Sequence, residues 1–168
     1  PQPAAPEQTQ PAQTELARVE PTAPPPASAT PPGGPSLATP GIRGGFLAPI
    51  DGPVIAGFGS QEDGRRNDGV NVAAPRGAPV RAAADGEVVY AGDALQGYGN
   101  LILVRHGDGW VTAYAHLDSI LAKRGETVKR GQTIGSVGSS GGVGAPQLHF
   151  EMRQNNKAVD PIGRLAPT

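Results

Sequence analysis

Cysteine is absent from the 168 residues. Its absence excludes a disulfide framework and any thiolate metal site, while leaving the compartment open. Net charge is nearly absent too. Fourteen Lys and Arg stand against 15 Asp and Glu, leaving −1 at pH 7, so bulk electrostatics point to no nucleic-acid partner. No run reaches the ~18 consecutive apolar residues of a transmembrane helix. No long stretch keeps a 3.6-residue apolar period, so no long helix is expected. The chain opens on Pro1 rather than Met, which reads as a processed or cut chain with any targeting signal out of view.

Glycine and proline are abundant instead, at 25 and 19 residues, about a quarter of the chain. Twelve of the prolines fall in residues 1–43, among Ala, Thr, Gln and Ser. Such a composition cannot bury enough apolar surface to offset the entropy of ordering the chain. Pro24-Pro25-Pro26 and Pro31-Pro32 favour extended polyproline II. Residues 1–43 are therefore expected to be a disordered, Pro-rich linker, a tether for the domain that follows.

From residue 44 the pattern changes to short β-branched and aliphatic runs separated by Gly, Asp and Asn. The runs predict strands near 53–58, 69–73, 79–83, 86–92, 100–106, 110–117, 132–137 and 147–153. Leu117 to Lys123 has room for one short helical turn. The expected fold over 44–168 is all-β, a compact antiparallel sheet or sandwich with a groove. Residues 147–153 alternate strictly. Leu148, Phe150 and Met152 point one way, and Gln147, His149, Glu151 and Arg153 the other. Along 110–117 the same rule sets Val111, Ala113, Ala115 and Leu117 on one face and Trp110, Thr112, Tyr114 and His116 on the other. Glu151 is then expected to be a solvated or salt-bridged surface carboxylate.

Three histidines are candidates for chemistry. His106 begins a hairpin turn and suits a structural hydrogen bond. His116 and His149 sit on polar faces of separate strands and can meet across one groove, or stand as ordinary surface residues. In Asn67-Asp68-Gly69-Val70-Asn71, positions 67 and 71 project to one face if the segment is extended, although Asn-Asp-Gly is also a common turn. Tyr98, between Gly97 and Gly99, is placed to project from a loop at the groove rim. Arg65-Arg66 can add positive charge at the groove mouth, or stand as a solvated pair.

Six segments in order carry a family resemblance. They are Asn67 to Pro75, Val80 to Val88, Gly97-Tyr98-Gly99-Asn100, Tyr114-Ala115-His116-Leu117, Val128 to Gly135, and Gln147-Leu148-His149-Phe150-Glu151. Residues 45–163 thereby resemble the LytM/lysostaphin-type zinc endopeptidase domain. In active members of that family the first segment reads His-x-Gly-x-Asp and the last His-x-His. The resemblance implies zinc-ligand positions at Asn67, Asn71 and His149, and catalytic positions at His116 and Gln147. Three of those five hold an uncharged amide.

A catalytic zinc takes about three protein ligands, typically imidazole or carboxylate, plus an open position for water. Here one imidazole remains, at His149, and Gln147 cannot carry a proton in acid–base catalysis. Without zinc there is no bound water with its pKa lowered toward ~7. The expectation is a catalytically inactive domain with no cofactor, its zinc site lost. Its groove would bind a partner through Asn67, Asn71, Tyr98, Tyr114, His116, Gln147 and His149. By resemblance the partner is a periplasmic peptidoglycan amidase or other cell-wall hydrolase, activated during division of a Gram-negative bacterium. Two alternatives stand beside it: a peptidoglycan-binding module, and an active zinc endopeptidase that cuts peptidoglycan cross-links.

Overall fold

The computed structural model describes residues 45–167, and the linker expected over residues 1–43 lies outside them. The strands in chain order are β1 (Phe46–Leu47), β2 (Val54–Ala56), β3 (Gly59–Ser60), β4 (Arg66–Asn67) and β5 (Val70–Ala73). Then come β6 (Pro79–Arg81), β7 (Gly86–Gly92), β8 (Asn100–Arg105), β9 (Trp110–Ile120) and β10 (Thr127–Val128). The last are β11 (Thr133–Val137), β12 (Gln147–Gln154), β13 (Lys157–Val159) and β14 (Leu165–Ala166). A single 3-10 turn at Ile162–Arg164 is the only helical element among the described residues, and no helix there is long and apolar enough to cross a membrane.

The main sheet runs β10-β7-β8-β9-β12-β5-β2, with β11 bridging β9 and β6, and β13 paired to β12. Every pairing in it is antiparallel. The expected all-β antiparallel fold is the one observed. The apolar run Leu101 to Val104 does lie in a central strand, between β7 and β9. It has no polar face because Ile102 and Val104 enter the main core while Leu101 and Leu103 join a smaller cluster on the other face. Leu148, Phe150 and Met152 of β12 are fully buried in the main core, with Val70 and Val72 of β5 beside them.

Two expectations fail along β9. The residues after Leu117 are strand rather than a helical turn, because β11 supplies a partner: Ser119 stands opposite Ser136 and Ile120 opposite Gly135. The simple alternation also breaks. Asn100 faces Leu117 while Ile102 faces Tyr114, so β9 holds one residue more than β8 between those pairs. That bulge falls where His116 adopts a left-handed backbone, φ 61°. The extra residue lets Tyr114 and Leu117 both enter the main core while His116 turns outward. Tyr114, expected on the groove wall, is instead fully buried against Phe150, ring centroids 5.3 Å apart. Its hydroxyl accepts from Ala83 N at 2.8 Å and is bonded to the Thr112 hydroxyl at 2.9 Å, and burial pushes its pKa up to about 12. Trp110 packs under the N-terminal segment, edge-on to Phe46.

Candidate functional site

The groove, of about 930 Å³, lies on the face of the sheet opposite the main core. His149 and Glu151 of β12, Asn71 of β5 and His116 of β9 form its floor. The β3–β4 hairpin and the exposed Val54 and Ile55 form one wall, and Tyr98 the other. Arg65 and Arg66 line the groove but are exposed and each faces an aspartate, Asp63 at 3.7 Å and Asp68 at 3.1 Å.

Adjacent register brings the floor together. β12 pairs with β5 so that His149 stands opposite Asn71 and Gln147 opposite Ala73. The turn before β5 closes because the Asn67 side chain accepts from Gly69 N at 3.1 Å, an Asx-type turn. Gly69 is required there by space, since a Cβ would meet the Phe150 carbonyl of β12.

From this anchor a chain of side-chain bonds crosses the floor. Asn67 Nδ2 donates to Asn71 Oδ1 at 3.1 Å, and Asn71 Nδ2 donates to Gln147 Oε1 at 3.2 Å. His149 Nδ1 lies 2.9 Å from Asn71 Oδ1, and His149 Nε2 lies 3.0 Å from Glu151 Oε1. The polar residues aligned by sequence at 67, 71, 147 and 149 therefore do converge, and they converge on one another.

Glu151 is not on a wet face. It is 3% exposed, beneath Tyr98 and Arg153. Oε1 also accepts from the Tyr98 hydroxyl at 3.3 Å, and Oε2 accepts from Arg153 Nε at 3.0 Å. Burial alone would raise its pKa. The hydrogen bonds from His149 and Arg153, with their charges, outweigh burial and hold the carboxyl below its usual range. Tyr98 is shifted the other way, raised by burial and then by the Glu151 charge. Sequence reasoning placed Tyr98 at the rim but missed Glu151 as the carboxylate beneath it. The available signal was its position two residues from His149 on the same face of one strand.

His116 is held by backbone. Its N–H donates to the Tyr98 carbonyl at 2.8 Å, and its Nδ1 lies 2.7 Å from the Ser140 carbonyl. A carbonyl only accepts, so Nδ1 carries the hydrogen. Burial, with a smaller contribution from His149, lowers the His116 pKa against the raising effect of the Ser140 bond. Its ring centroid is 5.9 Å from that of His149. His106 is structural, as expected, bonded to the Asp85 carbonyl at 2.7 Å and the Thr112 hydroxyl at 2.8 Å.

This donor set does not match a catalytic zinc. Asn67 and Asn71 present neutral amides bonded to each other. Both nitrogens of His149 already lie within hydrogen-bond distance of a side-chain oxygen, Asn71 Oδ1 and Glu151 Oε1. Among the described residues no three His, Cys, Asp or Glu side chains converge as a metal site.

Comparison with known proteins agrees with the motifs. The model of peptidase family M23 matches residues 65–161. The chain is 51% identical over 125 residues to the cell division protein DipM of Caulobacter vibrioides, covering 71% of this chain and 20% of that protein. It is 43% identical over 141 residues to the murein hydrolase activator NlpD of Salmonella dublin, covering 84% of this chain and 37% of that one. The chain thus spans between about a fifth and two fifths of these relatives' length. Among solved structures it resembles a zinc-containing peptidase from Vibrio cholerae, with TM-score 0.63, 36% identity, and coverage of 69% of this chain and 39% of that chain. It also resembles the catalytic domain of lysostaphin from Staphylococcus simulans, with TM-score 0.59, 36% identity, and coverage of 64% and 86%.

Proposed function

The chain belongs to peptidase family M23, and from that premise we propose that it is a non-catalytic member, a LytM domain that binds and activates a peptidoglycan hydrolase. The partner is an N-acetylmuramoyl-L-alanine amidase or another cell-wall hydrolase. The setting is the periplasm of a Gram-negative bacterium, at the division site. The observation that carries this reading is the bonding across the floor, in which Asn67, Asn71, Gln147, His149 and Glu151 are linked to one another side chain to side chain. Three of the positions that serve zinc chemistry in the family hold amides here, and His149 is engaged at both nitrogens. The domain accordingly binds no zinc and hydrolyses nothing. The names of the relatives DipM and NlpD, a cell division protein and a murein hydrolase activator, support the same role.

The groove and its rim are the docking surface, with Asn67, Asn71, Tyr98, His116, Gln147 and His149 as its polar contacts. Tyr114, in the core, has no part in it. Activation requires that docking favour the open state of the hydrolase over an occluded one. The test is dye release from labelled sacculi by the chain alone, by a purified amidase alone and by both, with zinc measured on the same preparation. The expected result is no release by the chain, release by the amidase that rises when the chain is added, and no zinc. Release by the chain alone that a chelator abolishes, with about one zinc per chain, would establish the endopeptidase instead.

A further inference from the structure

Residues 123–134 are one hexapeptide written twice, Lys123-Arg124-Gly125-Glu126-Thr127-Val128 and Lys129-Arg130-Gly131-Gln132-Thr133-Ile134. The copies differ only by Glu for Gln and Val for Ile. Their first four residues also fold alike. In the first copy Glu126 N donates to the Lys123 carbonyl at 2.9 Å, and Lys123 N donates to Glu126 Oε2 at 2.9 Å. In the second Gln132 N donates to the Lys129 carbonyl at 2.9 Å, and Lys129 N donates to Gln132 Oε1 at 3.0 Å. Gly125 and Gly131 supply the positive φ of each β-turn, 86° and 82°. The change from Glu to Gln joins the two turns, since Gln132 Nε2 donates to Glu126 Oε1 at 3.3 Å. A second carboxylate in that place has no hydrogen to give.

Each turn presents a Lys-Arg pair. Lys123, Arg124, Lys129 and Arg130 are exposed, and among the described residues no ion pair holds any of them. The carboxylates nearby are engaged. Glu126 is bonded within the turns, Asp85 Oδ1 accepts from Arg130 N at 2.7 Å, and Glu87, opposite Thr127, is paired with Arg105. The result is a positive edge on a chain whose net charge is −1. The turns bracket β10, the edge strand that pairs with β7. The groove belongs to the other edge of the same sheet, with β5 and β2. Leu121, two residues before the first turn, is 59% exposed.

We infer that this edge docks on an anionic phospholipid surface, with the two Lys-Arg turns against the headgroups and Leu121 beside them, leaving the groove open on the opposite edge. Exposed cations next to an exposed aliphatic side chain are the mixture that binds a charged lipid interface. A single small anion is the poorer fit. The backbone N–H groups that would cradle one are used inside the protein, Gly125 N on the Val88 carbonyl at 2.7 Å, Gly131 N on the Ala82 carbonyl at 2.8 Å and Arg130 N on Asp85. What remains is side-chain charge on two turns of one shape, which suits a uniform anionic surface rather than a particular sequence of groups. The inference stands apart from the activator reading, since it uses none of the groove residues.

The test sediments the full chain with vesicles of phosphatidylcholine alone and of phosphatidylcholine with phosphatidylglycerol. The chain is expected to bind only the second kind, and to be released when salt rises from roughly 50 mM to roughly 500 mM. Each Lys or Arg near an anionic surface is worth about fivefold in binding. Lys123→Gln with Arg124→Gln, and Lys129→Gln with Arg130→Gln, should therefore each weaken binding about 30-fold. All four are exposed side chains, so both variants should keep the unaltered unfolding midpoint. Arg65→Gln with Arg66→Gln, where each arginine already faces an aspartate, should leave binding unchanged. Equal binding to both vesicles, binding that survives both turn variants, or the same loss in the Arg65 and Arg66 variant would overturn the inference. So would preference for acetyl-hexaglutamate-amide or for glycerol phosphate over the phosphatidylglycerol vesicles at equal anion concentration. The first would assign the edge to an acidic polypeptide and the second to a free phosphate.

Discussion

Replacing Glu151 with Ala removes the carboxylate on which the groove floor converges. Glu151 is 3% exposed and accepts from His149, Tyr98 and Arg153. The three losses are unequal. Arg153 has a side chain 34% exposed and can turn to water, so its share is discounted. Tyr98 sits at the rim and can also find solvent. His149, with a side chain 11% exposed, is left with a polar N–H facing a void. A hydrogen bond to a charged group contributes about 1.5–3 kcal/mol, and breaking a buried charged pair costs about 3–5 kcal/mol. With the two rim partners discounted, the expected loss is about 3 kcal/mol. In urea unfolding that lowers the midpoint by about 2 M at an m-value near 1.5 kcal/mol per M. A loss below about 1 kcal/mol with an unchanged m-value would refute the reasoning, since that is the size of a surface pair. The pH dependence is a second check. The folded pKa of Glu151 lies below its ordinary 4.5, so its contribution is complete above 4.5 and is lost as pH falls through the lower folded value. The gap between wild type and Glu151→Ala should be constant above that pH and should narrow below it.

Three further outcomes are expected. Phe150→Ala should cost about 3–5 kcal/mol in the same unfolding assay, because the ring is fully buried against Tyr114 and its loss leaves a cavity. Zinc should leave the melting temperature of the unaltered chain unchanged and raise that of the double variant Asn67→His, Asn71→Asp, which returns an imidazole and a carboxylate to the floor; a zinc-dependent rise in the unaltered chain would contradict the loss of the site. Gly99→Ala should destabilise by more than about 1 kcal/mol, since φ is +63° and the new methyl would meet the Ser140 backbone, and it should disturb the His116 resonances because Ser140 holds that ring.

Much of this protein was legible in the order of its residues. Eight of the fourteen strands, β2, β5 to β9, β11 and β12, followed from short β-branched runs between Gly, Asp and Asn, because antiparallel pairing rewards that pattern locally, whereas the short β1, β3, β4, β10, β13 and β14 did not. The inward face of β12 followed from period-two alternation, which a strand cannot escape. The substitution of amides at 67, 71 and 147, and with it the case against zinc chemistry, is written in the sequence, since ligand chemistry belongs to the side chain itself.

Tertiary structure decided the rest. One extra residue in β9 lets His116 keep the groove as expected while Tyr114, two residues before it, enters the core, a separation that counting by twos cannot foresee. Glu151 looked solvent-facing because alternation assigns a face, whereas what covers that face is set by a loop some fifty residues away carrying Tyr98, and by Arg153. The direction of the amide hydrogen bonds across the groove floor was likewise invisible in the sequence. It depends on the Gly69 backbone N–H, a group every non-proline residue carries, and only the packed turn aims that one at Asn67.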